Sequence, residues 1–105
     1  MEAGKRLEEL KAIFEKVDPD KSKVIAPILE EVVFMETRLK ELRALPQIRV
    51  HRKDPQRQEA TPASKQYKET MQAYLNAVKV LQMTLSRNAQ EEEDAFDAWL
   101  NSREE

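Results

Sequence analysis

The chain contains no cysteine, one glycine and few aromatic residues, and each shortage excludes a class of protein. Without cysteine it has no disulfide framework, no catalytic thiolate and no zinc site with thiolate ligands. The single glycine, Gly4, excludes a glycine-rich loop that would hold nucleotide phosphates. No stretch is apolar for long enough to span a bilayer, and the first residues lack the apolar segment of a signal peptide. We therefore expect a cytoplasmic protein without membrane contacts.

Charged residues are abundant, at 36% of the 105 residues, whereas 40% are hydrophobic. This balance is typical of long helices with large solvent-exposed faces. Disorder is the alternative for so polar a chain, but the aliphatic residues recur at helical spacing instead of being scattered. The length fits one domain with a small core of its own, so we expect self-association.

The first two predicted helices are separated by a proline. The first covers about residues 2–17, and Asp18-Pro19-Asp20 ends it because proline cannot donate a backbone hydrogen bond. The second starts either at Ser22, a suitable N-cap, or near Ala26, which puts Pro27 at the first helical position. We favour the start near Ala26 and expect the helix to end at about residue 44.

The third helix should begin at Thr61-Pro62, an N-cap followed by a proline, and run to about residue 86. The second and third helices each carry a heptad-like apolar seam. The fold class is therefore predicted as all-α: a long helical hairpin with an N-terminal helix and a short C-terminal helix, oligomerising through the seams. The seam residues expected in the core and the oligomer interface are Ile28, Val32, Met35, Leu39, Tyr67, Met71, Tyr74 and Val78.

A polar and basic segment, residues 45–61, connects these two helices. Pro46 and Pro55 interrupt it, and it shows no helical period. Ile48 and Val50 alternate with polar residues, which allows a short strand. Loops of this length are mostly functional or disordered, so the segment is a candidate binding site.

Charge is segregated along the chain. Residues 38–87 carry eleven Lys or Arg against four acids, a net of +7, whereas residues 1–37 and 88–105 carry nets of −3 and −6. A basic segment can neutralise phosphates of double-stranded DNA, and the start of the third helix also favours anions. A basic loop that is only solvated is the alternative, and no recognition-helix pattern is present. The candidate DNA-binding residues are Arg49, His51, Arg52, Lys53, Arg57, Lys65 and Lys68.

Groups that could support catalysis are scarce. His51 is the one histidine, and no acidic residue has the spacing of a triad partner or a second metal ligand. Glu30 and Glu31 would point about 100° apart on a helix and cannot form a general-acid pair. The acidic run at residues 91–94 is interpreted as a solvated segment. We predict no enzyme, no catalytic residue, no metal site, no cofactor and no small-molecule substrate.

The last eighteen residues form an acidic linker followed by a short amphipathic helix. Phe96, Trp99 and Leu100 share one face of this helix. Such a cluster packs on its own chain, on a neighbouring subunit or on another protein. Residues 1–87, including the basic loop 45–61, are therefore predicted as the core and oligomerisation domain, and residues 88–105 as the linker and anchor helix.

Four segments form a recognisable set: LEEVVFMETRLKELR, TPASKQYKE, the Tyr-Leu-Asn of the third helix and the ending FDAWLNSR. Together they resemble the small terminase subunits of tailed phages and prophages, and the resemblance covers roughly residues 24–103. It implies a multi-copy ring in the bacterial host cytoplasm that binds phage DNA and recruits and regulates the large ATPase–nuclease subunit, with no catalytic site of its own.

The resemblance also implies roles for particular regions. Phe96, Trp99 and Leu100 become candidates for contact with the large subunit. Many members of the family carry an N-terminal helix-turn-helix domain, and this chain has no obvious one, so a DNA role falls on residues 49–57 and the start of the third helix. The alternative is a phage- or prophage-encoded helical interaction or scaffold protein that does not bind nucleic acid. Its basic loop would pair with an acidic partner or with the acidic tail of an adjacent copy.

Overall fold

A computed structural model describes residues 2–16, 19–85 and 90–102. Within them the chain forms four helices and two strands, which confirms the mostly helical fold that the sequence predicts. The molecule is elongated, with extents of 59 × 27 × 21 Å. None of the helices in these three ranges is both long enough and apolar enough to cross a bilayer. The helices are α1 (Glu2–Glu15), α2 (Pro19–Arg43), α3 (Pro62–Leu85) and α4 (Gln90–Asn101), and the strands are β1 (Ile48–Val50) and β2 (Gln58–Ala60).

Helix α2 begins at Pro19, so the predicted start near Ala26 is wrong. Pro19 is at the first helical position, where its missing amide hydrogen leaves no hydrogen bond unmade. Pro27 lies inside the helix instead. An internal proline costs a helix about 3 kcal/mol. Here the buried side chains of Ile25 and Leu29, on either side of Pro27, keep the helix continuous through packing.

Helices α2 and α3 pack along their apolar seams within one chain. Arg38, late in α2, donates a 3.1 Å hydrogen bond to Gln66, early in α3, so the helices run antiparallel as predicted. Of the eight residues expected at an oligomer interface, five are buried by the chain's own helices and have little surface left for a second copy. These five are Val32, Met35, Leu39, Tyr74 and Val78; Ile28, Tyr67 and Met71 are partly buried against the same core.

The core is completed by the two shorter helices. Leu10 and Phe14 of α1 are buried, as are Phe96 and Trp99 of α4. The rings of Phe14 and Phe96 meet edge to face, with centroids 5.5 Å apart. This geometry is favourable for aromatic pairs, so α1 and α4 hold each other against the helical hairpin.

Helix α4 begins before the short amphipathic turn that the sequence predicts. Residues 90–94, predicted as part of an acidic linker, form its first turns, and residues 88 and 89 lie outside the described residues. Glu91, Glu92 and Glu93 lie in the first turn, where negative charge interacts favourably with the helix dipole. The predicted linker is therefore largely part of a helix that packs against α1 and α3.

The basic segment between α2 and α3 forms an antiparallel two-stranded sheet. Strand β1 is the one that the alternation of Ile48 and Val50 indicates, and β2 was not predicted. In the register of the pair, Ile48 is opposite Ala60, Arg49 opposite Glu59 and Val50 opposite Gln58. The side chains of both strands are exposed, so this β-hairpin extends into solvent from the end of the helical pair.

Candidate nucleic-acid interface

The base of the β-hairpin is held by hydrogen bonds that also terminate the two long helices. The side-chain amide of Gln47 donates to the carbonyl oxygens of Leu42, at 2.9 Å, and Leu45, at 2.6 Å, just beyond the end of α2. The Leu42 carbonyl also accepts the backbone N–H of Leu45 at 3.1 Å, which closes the last turn. The Thr61 hydroxyl donates to the Pro46 carbonyl at 2.6 Å. The Thr61 hydroxyl oxygen also accepts a hydrogen bond from the backbone N–H of Ser64 at 3.1 Å and so caps α3.

The tip of the hairpin is a β-turn over residues 54–57. The backbone N–H of Arg57 donates to the Asp54 carbonyl at 2.9 Å, and the N–H of Gln56 donates to the Asp54 carboxylate at 3.2 Å. Pro55 is at the second position of the turn, where its fixed φ is favourable. His51 then donates its backbone N–H to the Arg57 carbonyl at 2.9 Å, which continues the ladder towards the tip. The Asp-Pro pair is the sequence signal that would have identified this turn.

The two faces of the hairpin differ in chemistry because successive side chains in a strand point to opposite sides. Arg49 and Glu59 share one face, and their side chains form a 3.0 Å ion pair across the strands. His51 and Arg57 continue this face towards the tip, and we call the four residues the basic face. Ile48 and Val50, with Gln58 and Ala60 opposite them, make up the other face, which we call the apolar face.

The β-hairpin carries an excess of positive charge that is accessible to solvent. Residues 48–60 contain four Lys or Arg against two acids. The Arg49–Glu59 pair is well exposed, so it contributes less than about 1 kcal/mol and opens easily for a competing anion. A concave surface of about 400 Å³ is lined by Arg49, Val50, His51, Arg52, Arg57 and Glu59.

The structure thus brings together four of the seven predicted DNA-binding residues: Arg49, His51, Arg52 and Arg57 line this one surface. Lys53 is at the exposed tip beside it. Lys65 and Lys68 are exposed on the first turns of α3 and do not line the concave surface. A cluster of flexible guanidinium groups on a ribbon can bind phosphate or carboxylate groups, and guanidinium can do so with two parallel hydrogen bonds.

A second polar cluster, which the sequence did not reveal, joins all four helices. Arg6 of α1 forms two hydrogen bonds with the Glu36 carboxylate of α2, at 2.7 and 3.1 Å. The Glu36 carboxylate also accepts a 2.7 Å hydrogen bond from the hydroxyl group of Tyr74 in α3. From α4, the Trp99 indole N–H donates to the Arg6 carbonyl at 3.0 Å, and the Trp99 ring lies 4.0 Å from the Arg6 guanidinium carbon. We call these four residues the Arg6 cluster.

The residues predicted to bind a partner pack on their own chain. Phe96 is fully buried, Trp99 is 4% exposed and Leu100 is partly buried against the core. Of the three arrangements that the sequence allows, the structure therefore has the one in which α4 docks on its own subunit. Contact of Phe96 or Trp99 with another protein would require α4 to detach from α1 and α3.

Among the described residues, no group of three or more His, Asp or Glu side chains is arranged to hold a metal ion. Comparison of the chain with models of protein families, with curated proteins and with solved structures found no match. The segments that resemble small terminase subunits lie in the C-terminal part of α2, the first part of α3 and the second half of α4, and Arg103 at the end of the last segment lies outside the described residues.

Replacing Thr61 with alanine should loosen the β-hairpin without unfolding the helices. The change removes the cap of α3 and the bond to Pro46, and loss of such a cap costs about 1 kcal/mol. We expect faster amide hydrogen exchange at His51 and Arg57 than in the unchanged protein. Thr70→Ala, in the middle of α3, is the matched control and should leave both amides unchanged. Equal exchange in the two variants would mean that Thr61 does not hold the hairpin.

Proposed function

We propose that this protein is a non-catalytic, self-associating DNA-binding subunit of the small terminase type. In this proposal the basic face and the tip of the β-hairpin bind the phosphate backbone of double-stranded DNA. The observation that carries it is the placement of Arg49, His51, Arg52 and Arg57 on one exposed surface of a hairpin anchored at both ends. A two-stranded ribbon also has the width to enter the major groove of DNA.

The charge distribution supports backbone binding in preference to base reading. Guanidinium groups pair with phosphate through parallel hydrogen bonds, and each neutralised phosphate releases bound counterions. One hairpin offers few such contacts, so useful affinity requires several copies acting on the same duplex. This requirement agrees with the ring-like assembly that the resemblance implies.

Recruitment and regulation of a large ATPase–nuclease subunit during genome packaging completes the proposal, and it is supported by the sequence resemblance. Because Phe96 and Trp99 are buried, the accessible part of α4 is its acidic side, where Glu91 and Asp97 are exposed. A motor protein would therefore contact this acidic side first, or capture the helix after it detaches.

The double variant Arg52→Glu/Lys53→Glu is expected to weaken binding to duplex DNA at least about tenfold at moderate salt, because it removes phosphate contacts and adds repulsion. The slope of log affinity against log salt should fall by about two, one for each lost contact. Titration with a fluorescent duplex at several salt concentrations measures both quantities. Native mass spectrometry before and after the change shows whether the assembly is retained, which separates a loss of phosphate contacts from a loss of self-association.

The matched control is Lys23→Glu/Lys79→Glu, which makes the same change in charge at two exposed positions on the helices. It should reduce affinity much less than the hairpin variant. Equal losses in the two variants would show that net charge, and not the hairpin, governs binding. If the unchanged protein fails to bind duplex at low salt, the alternative function follows, a helical interaction or scaffold protein whose hairpin pairs with an acidic partner.

A further inference from the structure

A groove between α2 and α3 leaves apolar side chains uncovered on one side of the helical pair. Its lining residues are Pro27, Ile28, Glu31 and Met35 of α2 with Ala73, Asn76, Ala77 and Val80 of α3, and its volume is about 500 Å³. Val80 is 47% exposed, and Phe34, seven residues after Pro27 on the same side of α2, is 62% exposed. The α2–α3 groove therefore offers a continuous apolar surface to another molecule.

The apolar face of the β-hairpin is also uncovered. Ile48 is 55% exposed and Val50 is 53% exposed, although a two-stranded ribbon gains stability only when one of its faces is packed. Leu45, just before the hairpin, is 49% exposed and extends the surface towards α2. Two apolar surfaces of one chain are thus open together, and within the chain they do not cover each other.

The two surfaces are complementary in size and charge. The side chains of Ile48 and Val50 lie about 7 Å apart along the strand, and Pro27 to Met35 spans about 12 Å along the helix, so the groove can receive both. The charged residue that lines the groove is an acid, Glu31. The hairpin that would enter carries an excess of bases, including Arg52 and Lys53 at its tip. A basic ribbon in a groove with an acidic lining residue has favourable electrostatics.

We propose that the apolar face of the β-hairpin of one copy packs into the α2–α3 groove of a second copy. Because the two surfaces are different, the contact is head to tail, and it repeats until the assembly closes into a ring or continues as a filament. The basic face of the same hairpin points away from the groove and stays available to anions. This contact specifies the interface of the self-association in the proposed function, but it does not depend on DNA binding.

The absence of cysteine allows a direct test by disulfide cross-linking. Val50→Cys and Val80→Cys are made in separate full-length chains, one of them carrying a mass tag, and are mixed under mild oxidation. We expect a mixed disulfide between the two chains and little disulfide within either variant alone. The control pair combines Val50→Cys with Leu75→Cys, which is 55% exposed but lies about 140° away from Val80 around α3. The control pair should cross-link several-fold less.

Cross-linking of Val80→Cys with itself, in preference to the mixed pair, would overturn the proposal in favour of a symmetric groove-to-groove dimer. A mixed product no greater than that of the control pair would also overturn it. The duplex titration separates this proposal from the proposed function. A cross-linked assembly that fails to bind DNA contradicts the DNA role alone, whereas DNA binding without the mixed disulfide contradicts the hairpin contact alone.

Discussion

Phe96→Ala is expected to lower the free energy of unfolding by about 3–5 kcal/mol, the usual cost of deleting a fully buried phenyl ring. The ring is 0% exposed, meets Phe14 edge to face and stacks on Trp99 at 6.0 Å. Domains of this size are stable by only about 5–15 kcal/mol, so one substitution would remove a large part of the total. Urea unfolding followed by circular dichroism measures the loss.

The same substitution tests what the C-terminal helix does. If α4 is part of the core, Phe96→Ala should loosen α1 as well, and amide exchange near Phe14 should rise. Deleting the chain from residue 88 onwards should then weaken the whole fold, and not merely remove a docking arm. Asp97→Ala, at an exposed position beside Phe96, is the control and should change stability by less than about 0.5 kcal/mol. If Phe96→Ala lowered the free energy of unfolding as little as Asp97→Ala, α4 would be held only weakly against the other helices.

The long helices could be predicted because their signals are periodic and local. The seams of α2 and α3 repeat every three or four residues, and Thr61-Pro62 combines an N-cap with a proline at the first helical position. Such patterns determine which face of a helix is buried, whatever the tertiary arrangement. They do not say which helix supplies the other half of the packing. Several seam residues expected between copies are therefore found between helices of one chain.

The start of α2 was misjudged because two prolines compete for the same role. Pro19 and Pro27 each fit the first helical position, and local chemistry does not choose between them. Which proline occupies the first helical position depends on Ile25 and Leu29. Their burial stabilises a helix that begins before Pro27. Tertiary packing of this kind overrides helix propensity and is not visible in the sequence around the proline.

The sequence predicted which basic residues make up the candidate site, but it did not predict that they lie on a β-hairpin. The sequence identified Arg49, His51 and Arg52 as basic residues of one segment, and it identified β1 from alternation. It did not provide the partner strand, because Gln58–Ala60 has no apolar alternation and its pairing depends on the turn at Asp54 and Pro55. The register of the two strands then divides the segment into a basic face and an apolar face. This division follows from the strand pairing and cannot be read from the composition of the segment.

The Arg6 cluster was missed for a different reason. Arg6 and Glu36 are single charged residues on helices that carry many, so neither has a period or motif that marks it. Their role comes from the three-dimensional arrangement of α1, α2 and α4, which places the pair where its side chains are only 17% and 11% exposed. The energetic importance of a charge depends on its burial, and burial follows from the fold.

We expect Arg6→Met to destabilise the protein by about 2–4 kcal/mol, since removing one partner leaves the other as a poorly solvated charge. Methionine retains the aliphatic stem of arginine, so lost packing contributes little. Glu36 would keep its hydrogen bond from the Tyr74 hydroxyl but lose the guanidinium charge, and Trp99 would lose the guanidinium beside its ring. The change should therefore also weaken the attachment of α4.

A double-mutant cycle separates the coupling between the two charges from these other losses. Arg6→Met, Glu36→Gln and their combination, measured by urea unfolding, should give a coupling energy of about 1–3 kcal/mol. The exposed pair of Lys11 and Glu30, at 3.8 Å with side chains 42% and 61% exposed, is the matched control. Lys11→Met with Glu30→Gln should couple by less than about 0.5 kcal/mol, because water screens both charges. Equal coupling in the two cycles would mean that Arg6 is no more than a surface ion pair, and that Phe96 and Trp99 hold α4 to the bundle by apolar packing alone.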